Sequence, residues 1–291
     1  MTKKTIENWL ILLILSIIWG SSFILMKRGL VGFTYLEVAF FRLIIAFMVL
    51  SPFLMSSLKK MNVRHVGPLL IVGIIGTVIP AILFAFGQTN LNSSTAGMLN
   101  ALTPIFTLII GVLCFKKSWG KKNIIGVIVG LFGSYILLLP SSLHKISTEH
   151  GLLIIIATIC YALSINTIKE KLADLRSLDI AALSSFVSFL IPFVFLLISG
   201  LDETINKILT NIESFYYLVI LGAICTSFAI VLFNFLIKRS SALFGSTTTY
   251  LIPVFAIIWG LIDGEIIKNN EFIGVFIVFI GVMIMNQAQL E

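Results

Sequence analysis

The sequence predicts an all-α membrane protein of ten transmembrane helices, built as two inverted five-helix repeats. Three observations carry that expectation. Of 291 residues, 58% are hydrophobic and 11% charged, against roughly 25% charged in ordinary globular domains. Apolar runs of helix-spanning length recur from end to end, with no gap wide enough for a soluble domain. Motifs of the first half return in the second.

A helix needs about 20 mostly apolar residues to cross the hydrocarbon core at about 1.5 Å per residue. Ten segments qualify, near 8–29, 35–56, 66–88, 94–115, 122–140, 150–170, 178–200, 215–237, 242–263 and 270–288. The first, from Trp9 to Met26, is too long for a signal-peptide core and has no small-residue cleavage site after it, so it reads as a retained helix. Basic residues in the connections set the orientation. Lys3, Lys4, Lys59, Lys60, Arg64, Lys116, Lys117, Lys121, Lys122, Lys169, Lys171, Arg176, Lys238 and Arg239 fall on one side, whereas Lys27, Arg28, Lys145, Lys207 and Lys268 fall on the other. The positive-inside rule makes the first side cytoplasmic, with both termini inside a cell (inner) membrane. The acids Glu149, Asp202, Glu203, Glu213, Asp263, Glu265 and Glu271 gather on the outer side. The net charge of +7 is therefore topological and implies no nucleic-acid partner. Cys114, Cys160 and Cys225 lie inside apolar runs without metal-ligand spacing, and are expected to be small buried hydrophobes.

Internal duplication is the next signal. "LTPIFTLIIG" from Leu102 returns as "LIPVFAIIWG" from Leu251, "GVIVGLFGSYILL" from Gly126 as "GVFIVFIGVMIMN" from Gly274, and "WGSSFILMK" from Trp19 as "YALSINTIK" from Tyr161. The last pair matches Ser22 with Ser164 and Lys27 with Lys169. The repeats are expected at 1–143 and 144–291. Five spans per copy is odd, so the second copy enters the membrane from the opposite side. Such halves can exchange conformations about a midplane site, the arrangement of a secondary transporter.

These residues carry a family resemblance. "WGSSF" followed by Lys27, the lone Arg42, and the repeated L-x-P-x-F with its trailing glycines resemble the EamA-type transporters of the drug/metabolite transporter superfamily. The resemblance covers both halves and implies ten helices, cytoplasmic termini and export of small metabolites, often amino acids, or of drugs. The Gly-Glu pair that the family places after the proline helix stands here as Gly264 and Glu265, while Lys116 and Lys117 occupy the matching place in the first half.

Polar side chains inside spans are costly and therefore candidate substrate contacts, although Ser, Thr and Asn also bind helices together. Arg42 lies deep in the second span, where it either pairs with Glu37 or faces a cavity and holds a substrate carboxylate. Lys27 sits at the outer end of the first span, either at the interface or pointing inward. Trp19 and Phe23 share a helix face with Ser22 beside them, and Tyr161 and Asn166 are their equivalents. The polar stretch 84–100 brings Phe84, Phe86, Gln88, Asn92, Thr95 and Asn100 near the outer end of a cavity; Asn234, Thr248 and Tyr250 do so from the other half. The expected substrate-binding set is Trp19, Ser22, Lys27, Arg42, Phe84, Gln88, Asn100, Tyr161, Asn166, Asn234 and Tyr250. Pro104 and Pro253 each remove a helical hydrogen bond and are expected hinges.

No Asp, Glu or His occupies the centre of a span, so a carboxylate proton relay is not expected. No nucleotide-binding glycine loop and no cluster of catalytic side chains is present, which argues against an ATP-driven pump and against an enzyme. The reading is an exporter of small metabolites, amino acids or related solutes, with membrane lipid as its other partner, no cofactor or metal, and a monomer or homodimer as its assembly. Export of lipophilic cationic drugs is the alternative within transport, and a non-transport membrane protein the alternative outside it.

Overall fold

Apolar runs too long for one face to be solvated become helices here. The computed structural model describes residues 3–91, 93–138 and 148–262, with 273, 274, 276, 277, 279–281, 283 and 284. In order they form α1 (Lys3–Gly29), α2 (Tyr35–Leu58), α3 (Val63–Gly87), α4 (Ser93–Asn100), α5 (Thr103–Phe115), α6 (Lys121–Leu138), α7 (Thr148–Lys171), α8 (Ser177–Ser199), α9 (Leu201–Thr210), α10 (Ile212–Arg239), α11 (Ala242–Ser246) and α12 (Thr248–Ile262). No strand interrupts them among the described residues. Seven described helical stretches are long and apolar enough to span a membrane, with Thr103–Phe115 a shorter apolar helix. Asn92, His144, Lys145, Asp263, Gly264, Glu265, Lys268, Glu271, the 143/144 repeat boundary and most of the tenth expected span lie outside the described residues.

The surface confirms the solvent. Leu10, Leu13, Ile14 and Ile17 of α1, Ile124, Ile125, Ile128 and Phe132 of α6, and Ile198 of α8 are exposed, a pattern that water would penalise and lipid accepts.

Two expected spans are broken helices rather than kinked ones. The stretch 94–115 ends one helix at Asn100 and starts the next at Thr103, which places Pro104 in the first turn of α5. There the missing N–H is one of the orphan donors anyway. Thr103 Oγ1 donates to Asn100 O at 2.7 Å, so the carbonyl that the proline cannot serve is met by a hydroxyl. The stretch 242–263 breaks at Thr247, and Pro253 lies inside α12. Ile252, without a hydroxyl, stands where Thr103 stands in the first half. A further helix, α9, was not expected; Asp202 and Glu203 in its first turn and Lys207 in its last suit its dipole.

The halves interlock crosswise. α1 packs along α12, and α7 packs along α5, so each half's first helix lies against the other half's proline helix. Gly20 permits the first contact, since a Cβ there would meet Phe255 Cβ at 2.6 Å. Equivalent residues are 142 positions apart in α1/α7 and α2/α8, but 149 apart from α3/α10 to α5/α12. The extra residues fall at the α8–α10 connection, where α9 sits.

Candidate functional site

A cavity of about 120 Å³ opens between the halves, room for on the order of ten water-sized bodies. That is the scale of a small metabolite. Its wall is assembled from α1, α2, α3, α4, α5, α7, α10 and α12, and most of it comes in matched pairs. Trp19 answers Tyr161, Ser22 answers Ser164, Thr77 answers Thr226, Phe84 answers Phe233, and Asn100 answers Thr249.

The aromatic pairs cross between halves in the same way. Trp19 meets Phe233 with centroids 4.8 Å apart at 70°, and Tyr161 meets Phe84 at 5.9 Å and 29°. Trp19 is held by its Nε1–H donating to Cys225 O at 2.9 Å. Its ring therefore presents a fixed flat wall to the cavity.

The hydroxyls show a common orientation. Ser22 donates to Trp19 O at 2.6 Å, Thr77 to Val72 O at 2.8 Å, Thr226 to Leu221 O at 2.9 Å and Thr249 to Ser246 O at 2.8 Å. Each hydroxyl has a single proton, and helix backbone takes it. What these groups offer the cavity is lone pairs. Thr77 and Thr226 do this from wide π-helical turns, Ile71–Val78 in α3 and Ala223–Phe228 in α10, where each bonds the carbonyl five residues back. Such turns recur at functional sites because they rotate side chains out of the ordinary helical register.

Arg42 breaks the symmetry. Its Nε donates to Thr226 Oγ1 at 2.6 Å, and it is the charged side chain on the cavity wall among the described residues. Its counterpart is Ser184. The assignment is geometric as well as sequential: a Cβ added to Gly222 would lie 2.9 Å from Arg42 O, and one added to Gly73 would lie 2.9 Å from Ser184 O. Glu37 is not the partner of Arg42. Lys207 Nζ holds both of its oxygens at 2.7 Å, and it caps α2 through Thr34. No carboxylate lines the cavity among the described residues.

Seven expected residues, Trp19, Ser22, Arg42, Phe84, Asn100, Tyr161 and Asn234, line this cavity. Four do not, each for a visible reason. Lys27 lies exposed at the end of α1. Gln88 turns its Nε2 to Phe23 O and Ser93 Oγ, both at 3.4 Å. Asn166 ties α7 to α5 through Thr107 O at 3.0 Å. Tyr250 is fully buried and donates to Val127 O at 2.9 Å, with its ring against Gly130. Sequence reasoning missed Thr77, Ser164, Thr226 and Thr249 as lining residues, although all four align with a polar residue in the other repeat. Lys169, the counterpart of Lys27, donates to Ile237 O, Lys238 O and Ser240 O, closing the C-terminal carbonyls of α10.

Comparison with known proteins bears on this arrangement. The sequence profile of the EamA-like transporter family matches residues 8–139 and again 150–287. An uncharacterized inner membrane transporter of Escherichia coli, YedA, is 25% identical over 93% of this chain and 88% of its own. A probable terminal-alkyne amino-acid exporter of Streptantibioticus cattleyicolor is 20% identical over 96% of this chain and 93% of its own. One solved crystal structure superposes over 98% of both chains with a TM-score of 0.73 at 12% identity, which shows a shared fold.

Proposed function

The chain belongs to the EamA-like transporter family and is a multi-pass membrane transporter, and from that premise we propose that it exports small metabolites, amino acids or related solutes, by alternating access about the central cavity. The observation that carries the reading is the chemistry of the wall. One guanidinium, Arg42, meets a set of hydroxyls whose lone pairs face inward. A carboxylate suits the first and an ammonium the second, while two aromatic pairs accommodate an apolar side chain. A lipophilic cation finds no carboxylate there, which weighs against drug export. The relative whose printed name is an amino-acid exporter agrees in substrate class. By its basic loops the protein sits in the cell (inner) membrane with both termini cytoplasmic, and it works as a transporter rather than an enzyme, without cofactor. Pro104, at the start of α5, and Pro253, inside α12, serve as hinges in the helices that clasp α7 and α1.

Purified protein in liposomes, offered labelled amino acids in parallel with cationic dyes, is expected to give saturable amino-acid flux and dye flux no greater than empty vesicles. Dye flux without amino-acid flux would instead assign the drug class. An imposed pH gradient is expected to drive no accumulation, since the described cavity wall holds no carboxylate to carry the proton.

A further inference from the structure

We propose that Thr77 is the subsite for the ammonium group of the transported solute, and that Thr226, its counterpart, positions Arg42 for the carboxylate. This deepens the transport reading above and rests on it. Two sockets on the cavity wall are built alike. Both threonines sit in π-helical turns, 149 residues apart, and each gives its one hydroxyl proton to the carbonyl five residues earlier, Val72 O at 2.8 Å and Leu221 O at 2.9 Å. Each therefore faces the cavity as an acceptor only.

The sockets differ in what fills them. Thr226 receives Arg42 Nε at 2.6 Å. That contact fixes the Nε edge of the planar guanidinium and leaves the two terminal nitrogens for a bidentate anion. At the other socket the residue in the place of Arg42 is Ser184, which folds its hydroxyl back to Ala181 O at 3.3 Å and does not line the cavity. No described side chain donates to the Thr77 oxygen. Half-buried on the cavity wall, this oxygen stays open to a donor from the cavity, and an arriving ammonium supplies one.

Placement follows from charge. The Arg42 guanidinium repels an ammonium and attracts a carboxylate, so a zwitterion lies with its cationic end on the opposite half of the pseudo-two-fold cavity. Thr77 is the acceptor that the pseudo-symmetry places there as the counterpart of Thr226. The aromatic pairs then flank the side chain. The cavity reads a solute by two ends: anion on the α2–α10 side, ammonium on the α3 side.

The test uses full-length protein in liposomes and labelled phenylalanine, or whichever amino acid of the panel is carried fastest, with the matching des-amino acid (3-phenylpropanoate) and the amide (phenylalaninamide) as unlabelled competitors. Removing a hydrogen-bond partner of a charged group changes affinity on the order of tenfold to a hundredfold. Thr77→Val is expected to raise KM for the amino acid by that factor, to leave competition by 3-phenylpropanoate unchanged, and to be rescued by Thr77→Ser. Thr77→Ala carries the same comparison should valine disturb packing. Thr226→Val is expected to weaken the amino acid and 3-phenylpropanoate together, to spare the amide, and to be rescued by Thr226→Ser. A Thr77→Val protein that loses both carboxylates equally, or neither, overturns the assignment while leaving transport intact. Absence of flux for every amino acid in the unaltered protein overturns the transport reading instead.

Discussion

Arg42 is the residue on which the chemistry turns, and its surroundings determine which substitutions are informative. A guanidinium that touches only a hydroxyl among the described residues is held by geometry rather than by charge, so lysine, a point charge without the fork, is a poor replacement. Arg42→Lys is expected to keep part of the carboxylate affinity and Arg42→Ala to lose about tenfold or more in KM, as read from initial flux at graded substrate concentrations. Unchanged flux in both variants would assign Arg42 a packing role. The depth of Arg42 was legible in the sequence, since a lone arginine inside an apolar run needs a reason. Its partner was not: Glu37 is nearer in sequence, yet its carboxylate is engaged by its own helix cap and by Lys207, 170 residues away. The same logic explains the residues that left the cavity. Gln88, Asn166 and Tyr250 each have a donor that a neighbouring helix's carbonyl accepts, and no linear pattern distinguishes such glue from a binding group.

At the level of elements, the helical runs were readable because lipid forces backbone polar groups to be satisfied within a segment. Their irregularities were not. The π-helical turns that aim Thr77 and Thr226 inward leave no periodic mark, because one extra residue per turn shifts phase without altering composition. The prolines were visible, but their settings differ. Pro104 starts α5, and Pro104→Ala is expected to change thermal stability by no more than about 0.5 kcal/mol. Pro253 lies within α12, so Pro253→Ala restores an N–H for Thr249 O and is expected to raise the melting temperature while slowing flux. Unchanged flux in Pro253→Ala would remove Pro253 as a hinge. A second element-level expectation concerns Gly222, whose added Cβ would meet Ile45 Cβ at 2.7 Å and Arg42 O at 2.9 Å. Gly222→Ala forces α2 away from α10 and is expected to cost about 1–3 kcal/mol by thermal melting, with loss of the Arg42–Thr226 contact and therefore of carboxylate affinity. Gly73→Ala crowds Val187 at 2.6 Å in the mirrored place. It is expected to match the stability loss without the direct push on Arg42.

The duplication gives the whole molecule two crosswise ion pairs. Glu37 opens α2 and is held by Lys207, which precedes α10; Asp179 opens α8 and is held by Lys60, which precedes α3. The acids are 142 residues apart, each lysine comes from the opposite half, and inverted repeats put equivalent positions on opposite faces of the membrane. Alternating access requires the halves to part at one face while they stay closed at the other, so the relative strength of these pairs biases the resting state. They are unequal. Asp179 is fully buried and also receives Arg176 in a bidentate contact at 2.8 and 2.9 Å and Ser57 at 2.9 Å, whereas Glu37 has Lys207 and its own cap. Removing Lys207 should therefore open its end readily, and removing Lys60 should open the other end little, because Ser57, from the opposite half, still donates to the buried Asp179. Cys225 on the cavity wall reports the difference. With Cys114 and Cys160 replaced by alanine, a membrane-impermeant maleimide applied from the Lys207 face is expected to label Cys225 several-fold faster in Lys207→Ala than in the parent, while Lys60→Ala probed from its own face changes labelling by less than twofold. Equal acceleration by the two variants, each from its own face, would show that the closures are balanced and that the extra partners of Asp179 contribute to folding alone.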